Sequence, residues 1–149
     1  MAAVHAGDEH DELKARVRDH WDAEPCGTRG LASDDPRERL REAEAIRYSV
    51  DEHIPRFARF TESQGLRVLE IGVGAGTDFV QWLRNGASAV GVDLSPGSLE
   101  EARARVDAEA LAGAELLVAD AEKLPFPDAS FDVVYSYGVL HHSPDTQAA

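Results

Sequence analysis

The feature that most constrains this chain is Arg67-Val-Leu-Glu-Ile-Gly-Val-Gly-Ala-Gly76, a short apolar run that opens onto three alternating glycines. Five residues dominated by Val, Leu and Ile predict a buried strand. Glycines at 72, 74 and 76 predict a tight turn with positive φ, where the backbone can approach a ligand closely. The stretch from Asp78 to Arg84 predicts a helix stopped by Asn85-Gly86. Strand, glycine turn and helix together make a nucleotide-cofactor device, because the helix N-terminus offers unpaired N–H groups and partial positive charge.

The chain after Leu66 continues in the same alternation. Ala89–Val92 predicts a second strand ending at Asp93, and Ser95-Pro96 opens a helix that ends near Gly113. Glu115–Ala119 predicts a third strand ending at Asp120, Pro125–Asp128 a loop, and Phe131–Tyr135 a fourth strand. Strands alternating with helices predict right-handed crossovers and a doubly wound parallel sheet of the α/β class. The segment before Leu66 reads differently. Residues 1–10 look like an acidic tail, and Leu13, Val17 and Trp21 at a spacing of four predict an amphipathic helix over 11–21. Glu24–Thr28 predicts a turn, and Asp34-Asp35-Pro36 starts a helix reaching the early fifties. Pro55 interrupts it, a short piece covers Arg56–Phe60, and Gly65 closes the segment. The expected organisation is an N-terminal helical extension or lid over 1–65 and an α/β domain over 66–149.

Three acids stand at three successive strand ends: Glu70, Asp93 and Asp120. Ligands of such sheets bind outside the carboxyl ends of the strands, so the three converge there. Asp93 lies about 20 residues beyond the glycine turn, where a carboxylate accepts from ribose hydroxyls in dinucleotide enzymes and others alike. Asp120 can accept from an adenine amino group. Glu70 would face a phosphate badly, but suits a cofactor that carries an ammonium and a sulfonium. The glycine spacing also departs from the Gly-x-Gly-x-x-Gly of the dinucleotide fingerprint. Taken singly, Glu70 can pair with a helix, Asp93 can cap one, and Asp120 can form a turn.

Composition narrows the partners. The 149 residues carry a formal net charge of −13, with 14 acidic against 5 basic residues from position 61 onward. Such a surface repels nucleic-acid phosphates and anionic membranes, and a small-molecule acceptor is the expected partner. The start lacks the basic flank and apolar stretch of a signal peptide, so a cytoplasmic location is the expectation. Cys26 is the sole cysteine and the six histidines show no ligand spacing, so no metal is expected.

Four ordered stretches carry a resemblance. Val68–Thr77, Gly91–Ser95, Ala119–Asp128 and Ser130–Tyr135 through Leu140-His-His142 resemble the successive motifs of class I S-adenosylmethionine (SAM)-dependent methyltransferases of the type 11 group. Trp21-x-x-x-Pro-Cys-Gly-Thr28 resembles, more loosely, a stretch found ahead of that domain in one bacterial subgroup. The resemblance implies the Rossmann-like fold of that family, SAM as cofactor and methyl transfer as activity. It implies that Glu70, Gly72, Gly74 and Gly76 hold the methionine end. Asp93 would bind the ribose hydroxyls, with Leu94 against the adenine. Asp120 would accept from the adenine amine and Ala121 would offer its backbone N–H. Tyr137 and Gly138 would lie near the transferring methyl.

His141 and His142 follow the fourth strand and are candidates for a catalytic base; equally they can shape the turn. Trp21 and the Pro25–Thr28 turn are candidates for part of a lid. The family's sheet order is 3-2-1-4-5-7-6, and only 13 residues follow Ser136. The expectation is therefore an incomplete sheet of strands 1–4 in a C-terminally truncated chain, completed by missing strands or by a partner. Two other readings stay open: an NAD-type oxidoreductase, and a non-catalytic SAM-binding fragment.

Overall fold

The computed structural model describes residues 6–149. Four strands, β1 (Arg67–Ile71), β2 (Ser88–Asp93), β3 (Ala114–Val118) and β4 (Val133–Ser136), form one parallel sheet in the order β3-β2-β1-β4. That is the doubly wound arrangement expected from the sequence. Ile71 stands in register with Val92 on one side and Ser136 on the other, so three strands end at the same level. Asp93, one step further, is level with Val118 of β3. The C-terminal edge of the sheet is therefore a ledge that carries Glu70, Asp93 and the residues just past β3 and β4.

Helices α4 (Phe79–Arg84) and α5 (Pro96–Ala108) make the crossovers. Val68, Phe79, Val80 and Trp82 are buried on one face of the sheet, and Leu69, Ile71, Val90 and Val92 on the other. Burial of β1 on both faces is what a continuous apolar run in a parallel sheet requires. Each fully buried side chain of this size contributes about 1.5–3 kcal/mol, and Trp82 and Phe79 are among the largest of them.

The N-terminal segment folds into α1 (Ala6–Ala23), α2 (Pro36–Val50) and α3 (Ile54–Ala58). Asp35 caps α2 by accepting from the N–H groups of Arg37 and Glu38, with Pro36 at the first helical position. Here α1 differs from the expectation. It begins at Ala6, so residues 6–10 are helix rather than tail. The stretch holds no proline, so the helix over 11–21 can extend back through it. The rest of the expected tail lies outside the described residues. The short third helix starts at Ile54, because Pro55 falls in the first turn, where a missing N–H costs nothing. Strand β4 starts two residues later than expected. The Phe131 ring packs edge-on against Phe126 at 5.0 Å and under the Arg67 guanidinium at 4.7 Å, which places it in a loop cluster. Among the described residues no helix is long and apolar enough to cross a membrane.

Candidate functional site

Above the ledge lies a cavity of about 490 Å³. Glu70, Gly72, Gly74, Asp93, Leu94, Asp120, Ala121, Tyr137 and Gly138 all line it. The sequence thus places nine of its ten expected cofactor residues in one wall. Gly76 is the exception. A Cβ there would meet Ala102 Cβ at 2.9 Å, so this glycine serves the packing of the turn onto α5.

The glycine turn makes its own hydrogen bonds. Gly72 and Val73 both donate to the Val92 carbonyl, Gly74 to Asp93 Oδ2 at 2.9 Å, Ala75 to the Cys26 carbonyl at 2.9 Å and Gly76 to the Val73 carbonyl. All five amides are spent within the protein. A phosphate-binding turn needs such amides directed at the anion; this one is closed to it. Asp93 Oδ1 accepts from the Ser95 N–H at 2.9 Å, so the same carboxylate ties the β1 and β2 turns together.

Glu70 is only 3% exposed. Its Oε2 accepts from Trp82 Nε1 at 2.8 Å, and among the described residues no Lys or Arg forms an ion pair with it. Burial, with the nearby Asp78 charge, pushes its carboxyl well above the usual range. Arg47 lies near enough to oppose this shift but spends its guanidinium on Asp78, so among the described residues no cation bonds Glu70 directly. Asp78 itself is satisfied: it accepts from Arg47 at 2.7 Å, Tyr48 at 3.0 Å and Tyr135 at 2.9 Å. At the far end, Asp120 Oδ1 caps the next turn by accepting from the Glu122 N–H. Its Oδ2 takes Lys14 Nζ at 2.6 Å.

The methyltransferase domain family matches residues 69–149, more than half of the chain. The chain belongs to this family, the class I SAM-dependent methyltransferases. It is 36% identical over 94 residues to the O-methyltransferase resE of Aspergillus sclerotiorum, covering 62% of this chain and 36% of that protein. It is 39% identical over 83 residues to the 27-O-demethylrifamycin SV methyltransferase of Amycolatopsis mediterranei, covering 54% and 30%. The chain thus spans about a third of the length of these relatives. The crystal structure of magnesium protoporphyrin IX methyltransferase from Synechocystis, with bound SAM, shares the fold. Its TM-score is 0.67 at 19% identity, over 99% of this chain and 69% of that one.

The residues of this methyltransferase chain fit the family's cofactor. Glu70 offers a buried carboxylate without a cation, and the cofactor carries an ammonium. The amides of the glycine turn are spent, and the methionine end of the cofactor brings no phosphate. A volume of about 490 Å³ lies within the range of small-molecule sites.

The N-terminal segment supplies the opposite wall through Lys14, Val17 and Trp21 of α1, Cys26 of the following turn, and Arg47 and Asp51 of α2. Sequence reasoning placed Trp21 and the Pro25–Thr28 turn there but missed Lys14, Arg47, Asp51 and Asp78. The face of α1 turned to the cavity is 14-17-21, not the apolar 13-17-21; Leu13 is exposed. Treating the lysine stem as apolar surface would have found it. Of the two histidines, His142 lines the cavity, its ring 5.9 Å from Trp21, and His141 does not. Burial, then the neighbouring His141 and His20, lowers the pKa of His142.

Proposed function

We propose that this chain binds SAM in the cavity above the sheet and serves methyl transfer to a small-molecule acceptor. The observation that carries the reading is the pairing of a cation-lacking buried Glu70 with a glycine turn whose amides are all spent. In this reading Glu70 receives the ammonium and Asp93 the ribose hydroxyls. Leu94 packs on the adenine, Asp120 accepts from its amine, and the Ala121 N–H donates to the ring.

When bound, SAM would supply a methyl on sulfonium sulfur, which passes to the acceptor as the carbon–sulfur bond breaks and a neutral thioether departs. The chain's own residues then have little covalent work; they hold and align. Tyr137 and Gly138 stand at the methyl end. Nothing lies within 4 Å of where a Gly138 Cβ would be, so an acceptor has room to approach across that backbone. The apolar Ile46 and Val50 of α2 line the same cavity. They suit an acceptor with an apolar body. Residues 1–65 serve as the cover of the site in this reading.

Calorimetry of the 149-residue chain with SAM, S-adenosylhomocysteine and NAD tests the cofactor. Binding of the two sulfur compounds at micromolar level and none of NAD is expected. NAD binding with no response to either sulfur compound would return the chain to the oxidoreductase reading.

A further inference from the structure

Among the described residues Lys14 is the lysine or arginine that bonds Asp120 at the end of the cavity wall, and its hydrogen bonds can be counted. Its ammonium has three donors. One goes to Asp120 Oδ2 at 2.6 Å and one to Glu122 Oε2 at 2.5 Å. Glu122 is locked in turn: its other oxygen accepts from the Ser143 hydroxyl and from the Asp145 N–H. The side chains of Lys14 and Glu122 are 16% and 8% exposed, so the ammonium is held in place rather than waving in solvent. Burial works against its charge, but the two carboxylates more than compensate, and its pKa is raised. One donor is left over, on a residue that lines the cavity.

The neighbouring groups form a pattern. Asp120 Oδ2 has a second lone pair available beside Lys14. The Asp120 side chain caps the Glu122 amide, which leaves the Ala121 amide as the first N–H of the 3-10 turn. Together the three residues offer the cavity they line two donors and one acceptor: the Ala121 N–H and Lys14 Nζ, and Asp120 Oδ2 beside Lys14. The edge of adenine presents the reverse, with acceptor N1, the 6-amino donor and acceptor N7 side by side.

We propose that Lys14 is a specificity-determining residue of the cofactor site, donating to adenine N7 while the adjoining amine donates to Asp120 and Ala121 donates to N1. This rests on the SAM reading above. It makes the N-terminal helix part of the base-recognition surface, so adenine is read on both sides of its amine.

The test is a binding cycle by calorimetry, using S-adenosylhomocysteine and its 7-deaza and 1-deaza analogues with the full chain and with Lys14→Met. The full chain should bind the 7-deaza analogue about tenfold more weakly than the parent, the size of one charge-assisted hydrogen bond. Lys14→Met should bind parent and 7-deaza analogue alike. It should still discriminate against the 1-deaza analogue, which reports the Ala121 contact. Equal binding of parent and 7-deaza analogue by the unsubstituted chain overturns the proposal, whatever the variant does. An equal 7-deaza loss in both proteins also overturns it, since another group or water then reads N7. No binding of S-adenosylhomocysteine at all would instead overturn the SAM reading itself.

Discussion

The floor of the cavity is held mainly by backbone bonds and the part of the cover that faces it mainly by side chains. On the floor, β1 pairs with β2 and β4 in continuous register, and every amide from Gly72 to Gly76 is bonded within the protein. The α2–α3 part of the cover buries Leu40, Ile54 and Phe60 in the same core as Trp82, while the part over the cavity adds ion pairs and single contacts. Lys14 reaches Asp120 and Glu122, Arg47 reaches Asp78, and Asp22 accepts from Ser95 and Gly97. Backbone ladders are dense, local and nearly indifferent to salt. Charge pairs are sparse, and salt screens them more the more exposed they are. The α1 and 24–30 part of the cover should therefore loosen before the floor does.

The largest contrast is between two glycines that share a positive φ. Gly72 has φ +78, and a Cβ there would sit 2.2 Å from Val139 Cγ2. Gly30, in the cover, has φ +80 and nothing within 4 Å. Gly72→Ala combines backbone strain with overpacking and should cost about 3 kcal/mol or more. Gly30→Ala suffers the strain alone, about 1 kcal/mol. Urea unfolding of both variants checks this; equal losses would show that the floor is no more tightly packed than the cover.

A smaller effect, with two opposite signs, is expected at Glu70. Its raised pKa means that the folded chain binds a proton the unfolded chain has already released. Stability therefore falls as pH rises from the ordinary carboxylate range through the pKa of Glu70. Glu70→Gln should remove that fall and be more stable than the parent at pH 8, by thermal melts across pH. It should also lose about 10- to 100-fold in SAM affinity, the value of a charged hydrogen bond. SAM affinity of the parent should rise with pH over the same window. A variant that is destabilised at pH 8 yet binds normally would make Glu70 a purely structural partner of Trp82.

The smallest effect concerns salt. Raising sodium chloride from 0.1 to 1 M should leave the melting temperature nearly unchanged while speeding proteolysis within α1 and the 24–30 turn. Screening reaches the exposed Arg29–Glu24 pair of that turn and, more weakly, the part-buried Lys14 and Arg47 pairs, not the sheet. Cleavage that stays slow at 1 M would mean that apolar contacts of Val17 and Trp21 hold the cover instead.

What was legible in the sequence follows the same division. The β1 strand, the glycine turn and the Asp35 and Ser95 helix starts are written in neighbouring residues, and each appears where expected. The three strand-end acids were legible because a parallel sheet forces its carboxyl ends together. The cover was legible only as helices. The Lys14–Asp120 contact joins residues 106 positions apart, and no local pattern encodes such a pair. Asp78 was passed over because it sits where a helix cap belongs. Its partners Arg47, Tyr48 and Tyr135 come from two distant segments. The resemblance implies a ligand role for Gly76, whereas its contact with Ala102 joins distant segments and has no local signal.

Asp93 holds the Gly74 amide with one oxygen and the Ser95 amide with the other. Each oxygen keeps a lone pair for a ligand, but the carboxylate can no longer rotate. Its orientation is settled during folding, so a diol arriving at this acid meets a preorganised acceptor and loses little affinity to ordering it. The two turns also become one mechanical unit. Whatever loosens the grip of Asp93 loosens both at once, so the acid that would hold the sugar also keeps the shape of the site around it.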